Sequence, residues 1–189
     1  GAEYKYITTS DRGEPIALAT YGNIFSITRQ AIINDDLDQL STVPMAMGRA
    51  ASRTVGNLVN LVLTGNVKLS DGIALFDKKH SNLIEAGLTT PGLSAARHLM
   101  RTQKDKNGEV LNIIVDPRLD DISEKQWYML SAQGTDTIEV AYLDGNDEPY
   151  LEQQEGFIVD GVAWKVRIDA GVAALDYRGM VKSGGTDSL

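Results

Sequence analysis

The sequence predicts an α+β fold, and three observations carry that prediction. Small and apolar residues recur at helical spacing along one long stretch, Val43 to Thr64. Apolar and polar residues alternate at strand spacing through the last third, around Asp-Gly turns at Asp144-Gly145 and Asp160-Gly161. Between these lie short runs of strand formers and a second, shorter helical segment, with no internal repeat of 20–50 residues and no low-complexity tract.

In chain order, Tyr4 to Thr9 and Ile16 to Tyr21 read as a hairpin around the turn cluster Ser10 to Pro15, and a further turn at Gly22-Asn23 leads into Ile24 to Thr28. Their apolar residues are too few to cover a core on both sides. Residues 1 to about 30 are therefore expected to lean on something else, a partner subunit being the natural support, since an isolated hairpin is marginal in water. Asn34-Asp35-Asp36-Leu37-Asp38 places carboxylates ahead of the long helix, with Thr42 as cap and Pro44 in the first turn. Positions 47, 50, 51, 54, 58, 61 and 62 form its buried face, Arg49, Arg53, Gly56 and Asn57 lie opposite, and Gly65-Asn66 ends it after about 33 Å. Residues 66 to 90 read as loop around Ile73 to Phe76. Thr90 as cap and Pro91 at the first position open a second helix to about Lys104, with Leu93, Ala96, Met100 and Gln103 on one face and Arg97, Arg101 and Lys104 on the other. Val110 to Val115 and Trp127 to Leu130 read as strands. Thr137–Leu143 with Tyr150–Gln153 reads as one hairpin, and Phe157–Val159 with Val162–Ile168 as another, in which Val162, Trp164, Val166 and Ile168 face the core.

Composition narrows function. The 189 residues hold 18 Lys plus Arg against 26 Asp plus Glu, a net charge of −8, which argues against an electrostatic grip on nucleic acid or an anionic membrane. The chain holds no cysteine, so disulfides, thiolate metal sites and cysteine nucleophiles are excluded. The longest near-apolar run, Leu58 to Leu63, is far short of the roughly 18 residues of a membrane span, which implies a soluble protein. Gly1-Ala2-Glu3 lacks an initiator Met and a signal-peptide layout, as in a processed or trimmed chain.

Candidate chemistry is sparse. His80 and His98 are the only imidazoles, and no neighbouring acid completes a triad around His98. Asp71, Asp77 and His80 could offer oxygen and nitrogen ligands from one loop, the basis of a metal-dependent hydrolase reading, although solvated loop carboxylates explain the same letters better. Asp144 to Glu155 mimics a calcium loop, but Pro149 stands where the sharp turn needs Gly. Arg49 with Arg53, and Arg97 with Arg101, form i, i+4 basic pairs that could track phosphates, meet carboxylates of a neighbouring chain, or simply face solvent.

From Leu18-Ala-Thr-Tyr-Gly-Asn-Ile-Phe-Ser-Ile-Thr to Leu37 the sequence closely resembles the Mu-like phage major head subunit family, the major capsid proteins of many tailed phages and prophages. The likeness continues through Leu61 to Asn66, Asp71 to Phe76 with His80 and Asn82, Leu93 to Gln103, Val115 to Leu119, Trp127-Tyr128, Asp136 to Leu143, Pro149 to Glu152 and Gly156 to Gly179. It implies the capsid fold of the Hong Kong 97 phage type. On that resemblance residues 1–36 form an extended loop hairpin, 37–89 and 119–189 a peripheral domain with the spine helix at 43–64, and 90–118 the remnant of an axial domain. It implies no enzyme and no cofactor. The chain would self-assemble as pentamers and hexamers into the icosahedral head around double-stranded DNA, with scaffold, portal and maturation protease as partners and without sequence-specific DNA or membrane binding. It would reside in the virion capsid, and in host cytoplasm during assembly. An encapsulin-like nanocompartment shell is the alternative within the same fold. Tyr6, Ile7, Arg12, Ile16, Leu18, Arg49 and Arg53 are the expected subunit contacts. Two departures from the family stand out: family members carry an amino-terminal arm where this sequence starts almost at the loop, and the substantial axial segment between the positions of Asn112 and Val115 is either lost or, as expected here, cut out or unresolved.

Overall fold

The computed structural model describes residues 14–34, 39–103, 113–131, 137–156 and 160–186. Its centre is a four-stranded antiparallel sheet built on one long strand, β6 (Gly161–Ala174). Strand β1 (Ala19–Thr28) pairs along one side of it, from Ala19 opposite Ala170 to Thr28 opposite Gly161. On the other side β5 (Tyr150–Glu155) pairs with Val162–Arg167, and β4 (Ile138–Tyr142) pairs further along with Ala170–Ala174. Trp164, Val166, Ile168 and Ala170 of β6 are buried while Lys165 and Arg167 face out, the alternation expected of a sheet covered on one side.

The cover is helix α2 (Gln39–Gly65), which follows the five-residue helix α1 (Arg29–Ile33). Ala51 packs with Val166 and Ile168, joined by Met47, Val55, Tyr21 and Tyr142. The far end of α2 delivers Val62 and Leu63 to a second core of Leu69, Leu75, Phe76, Ala174 and Met180. A third core lies under helix α3 (Thr90–Thr102), where Ala96 meets Trp127, Met129 and Val181 of a small sheet. That sheet places β7 (Met180–Ser183) between β2 (Leu83–Ile84) and β3 (Trp127–Leu130), with a single-turn helix α4 (Pro117–Asp120) preceding β3.

Several elements differ from the sequence reading. No turn interrupts β1 at Gly22-Asn23: Gly22 sits opposite Arg167, so ladder pairing with β6 keeps the strand extended through a dipeptide that favours turns elsewhere. This strand therefore rests on its own chain. Helix α2 begins at Gln39, which puts Thr42 and Pro44 inside it rather than at its cap. Of the expected buried face, Ala50 and Leu61 are exposed and Val55 and Leu63 turn inward instead. The cap of α3 is Thr89, whose hydroxyl accepts from the Gly92 amide, one residue before the expected Thr90. Tyr150–Glu155 pairs with β6 and not with residues 137–143, because the 14-residue β6 is long enough to carry β5 and β4 end to end. Ile113 to Val115 adopt no regular structure, and Asp116-Pro117 opens α4 instead of closing a strand. The expected strands at Tyr4–Thr9 and Phe157–Val159, and most of Val110–Val115, lie outside the described residues.

Candidate subunit-contact surface

Among the described residues both sides of the main sheet end in strands with open edges, β1 on one side and β5 and β4 on the other. β1 and β5 each pair with β6 alone among the described strands, so each carries a row of backbone groups without a ladder partner. All six residues of β5 are exposed, and β1 exposes Ile24 at 67% and Phe25 at 42%. A shallow groove of about 440 Å³ follows this side, lined by Thr20, Gly22, Asn23, Ile24, Lys165, Val166 and Arg167. Apolar side chains are exposed elsewhere too, Met45 and Leu61 on α2 and Ile113, Ile114 and Val115 at 86, 79 and 87%. Scattered single apolar side chains are ordinary on a surface, but three consecutive β-branched ones are not.

The expected contact residues distribute unevenly over this surface. Arg49 and Arg53 are exposed one turn apart on α2, and Leu18 is exposed just before β1. Ile16 is half-buried, and a Cβ added at Gly171 would come within 3.0 Å of its Cγ2, so Ile16 spends part of its surface within its own subunit. Tyr6, Ile7 and Arg12 lie outside the described residues. Around the open edges, ion pairs join Lys165 of β6 to Glu152 of β5 at 2.7 Å and Arg29 of α1 to Asp160, just before β6, at 3.0 Å, all substantially exposed and hence worth little individually. The hydrogen bond and charge of Lys165 hold the Glu152 carboxyl below its ordinary value.

His80 belongs to a structural node. Its ring is buried and stacks on Tyr177, centroids 3.9 Å apart and planes 2° from parallel; its Nε2 meets Asp71 Oδ2 at 2.9 Å and its Nδ1 faces the Leu75 carbonyl at 3.3 Å. The His80 hydrogen bond lowers the Asp71 pKa. Asp77, the third member of the candidate metal set, instead caps the turn Lys78–His80 by accepting from the Lys79 amide. No group of three His, Cys, Asp or Glu among the described residues is arranged to hold a metal ion. Asp144 to Glu155 is a turn followed by a strand, as Pro149 implied.

One arrangement escaped sequence reasoning. Arg118 donates to both carboxylate oxygens of Asp116 through Nε and, through Nη1, to Asn57 Oδ1 at 3.0 Å, so it clips α4 onto α2. The guanidinium lies over Gly56, where a Cβ would sit 2.9 Å from Nη1. That bond network lowers the Asp116 pKa and raises that of Arg118. The available signal was Asp-Pro-Arg, an N-cap followed by Pro at the first helical position.

The described residues build a sheet-and-helix body whose outer strands leave open edges. The chain belongs to the phage capsid protein family, whose model matches residues 13–113 and 105–183. All of the chain superimposes on 60% of a chain from the procapsid of bacteriophage JBD30, with a TM-score of 0.55 and 16% sequence identity. The chain thus spans less than two thirds of the protein it matches. Comparison with curated proteins gave no match.

Proposed function

We propose that this chain tiles an icosahedral head of the Hong Kong 97 type, as a Mu-like major head subunit, forming pentamers and hexamers around double-stranded DNA. The observation that carries the reading is the end-to-end match: the family model spans 13–183 in two stretches, and the fold aligns over the full chain with a procapsid chain. In this reading α2 is the spine helix, the sheet around β6 is the peripheral domain, and residues leading into β1 belong to the extended loop. The two family stretches overlap at 105–113, where the resemblance lacks its axial segment, which supports reading 90–118 as the remnant of a reduced or partly missing axial domain. Scaffold, portal and maturation protease are the expected partners, and assembly takes place in host cytoplasm. The net charge of −8 suits a container, because repulsion keeps packaged duplex from adhering to the wall. In this reading the chain is a structural subunit, and His80 serves the fold by stacking on Tyr177 and bonding Asp71.

The test is coexpression of the full chain with its scaffold, followed by sizing and negative-stain electron microscopy. Closed shells with five- and six-fold capsomers are expected. A stable monomer under every condition, or turnover in a hydrolase screen abolished by His80→Ala, would overturn the reading.

A further inference from the structure

Charge is sorted along this chain in a way that its own fold leaves unused. Helices α2 and α3 carry four arginines, Arg49, Arg53, Arg97 and Arg101, and not one carboxylate. Residues 137–160 carry seven carboxylates, Glu139, Asp144, Asp147, Glu148, Glu152, Glu155 and Asp160, and not one cation. Among the described residues, only Glu152 and Asp160 of these find cations, Lys165 and Arg29. Among the described residues Arg49 and Arg53 have no ion-pair partner, nor do Asp144, Asp147 and Glu148; all five are exposed.

Shape distinguishes α2 from α3 as the complementary surface. Met45, Arg49 and Arg53 follow one another at i, i+4, i+8 and form one exposed stripe, with the apolar Met45 at its end. The acidic turn offers the counterpart: a cleft of about 220 Å³ lined by Leu143, Asp144, Glu148, Tyr150, Arg167 and Asp169. Arg167 is already engaged there, over the Tyr150 ring at 5.0 Å and with Asp169 at 3.5 Å, so Asp144 and Glu148 are left open toward an incoming cation. Leu143 and Tyr150 are about half exposed and frame that opening with apolar surface.

We propose that the α2 stripe of one subunit, Arg49 and Arg53 with Met45, docks into the acidic cleft of a second copy between Asp144 and Glu148. The two patches are different surfaces of one chain, so the contact is heterologous, which generates a ring where the rotation closes. This rests on the shell reading above and names one of its interfaces. Opposed charge steers encounter and fixes register, while burial of Met45 against Leu143 and Tyr150 excludes water from the guanidinium–carboxylate pairs.

A charge swap in the full chain tests it. Arg49→Glu with Arg53→Glu, and separately Asp144→Lys with Glu148→Lys, are each expected to cut particle yield at least tenfold without moving the urea midpoint of the subunit. The four substitutions together are expected to restore at least half of the wild-type yield, and Arg97→Glu with Arg101→Glu to leave it unchanged. Either double variant assembling normally, or the fourfold variant remaining as poor as the doubles, overturns the contact while wild-type shells leave the capsid reading standing. Wild-type protein that forms no shells overturns both. Should a double variant fail to fold, Arg53→Cys with Glu148→Cys on this cysteine-free chain supplies the second readout. A short bis-maleimide should then give ladders of linked subunits in particles, and monomers alone overturn the proposal.

Discussion

Ser183 grips Ala86 by both backbone groups: its hydroxyl donates to the Ala86 carbonyl at 2.7 Å and accepts from the Ala86 amide at 3.1 Å. The same oxygen accepts from the Gly185 amide at 3.1 Å, and the Ala86 carbonyl also receives the Trp127 indole N–H at 2.9 Å. Because Ser183 is fully buried, its hydroxyl is the partner that lets the loop after β2 and the end of β7 pass through the interior. Ser183→Ala strands two amides and should cost about 2–3 kcal/mol. Urea denaturation checks this, and a loss below about 0.5 kcal/mol would show that water takes over the role.

The Asp71–His80 pair predicts an acid limb in the stability profile. His80 lowers the Asp71 pKa in the folded chain, so this carboxylate contributes stability that is fully present above the ordinary aspartate value of about 3.9. The contribution is lost as pH falls through the lower folded value. Asp116, held down by Arg118, and Glu152, held down by Lys165, act with the same sign. Asp71→Asn should therefore flatten the unfolding profile below pH about 4. An unchanged acid limb in the variant would break the link between the pair and the profile.

Gly22 illustrates a backbone approach. A Cβ there would stand 2.8 Å from the carbonyl oxygen of Val166, which is fixed in the central strand and cannot swing aside like a side-chain tip. Gly22→Ala should push β1 off β6 and cost about 1–3 kcal/mol, outweighing the smaller entropic gain from removing a glycine. Equilibrium unfolding decides the sign, and a stabilised variant would contradict the close approach.

How much of this fold was readable depends on how local the deciding physics is. Trp127–Leu130 and the alternation of Val162 to Ile168 were legible because each strand shows its buried face within a few residues. The long helix was legible in kind, yet its start at Gln39 and the inward turn of Val55 and Leu63 depend on what the sheet and the loop core place beneath it. Pairing was the weakest point. Tyr150–Glu155 could serve as partner to either neighbouring strand by pattern alone, and only the length of β6 decides. Of the contact surface, Arg49, Arg53 and Leu18 were legible as exposed residues, whereas Gly56 under Arg118 is set by two segments 62 residues apart, for which spacing gives no signal.

The open edge of β1 supplies the last prediction. Its ten residues, Ala19 to Thr28, hold no charge and no proline, although monomeric sheet proteins commonly guard long edges with both. Such an edge is tolerated where a neighbouring subunit covers it, and in a capsid every subunit has neighbours. Ile24 is 67% exposed and faces the same side as Lys165, so a lysine in its place meets solvent in the isolated subunit and should change its stability by no more than about 0.5 kcal/mol. In the assembled head that lysine would be a charge buried against the neighbour without a partner, which is strongly unfavourable. Ile24→Lys is therefore expected to give a folded subunit that fails to form particles, seen as a monomer on sizing beside wild-type shells under the same conditions. Normal shells from this variant would mean that the β1 edge remains solvent-facing in the head.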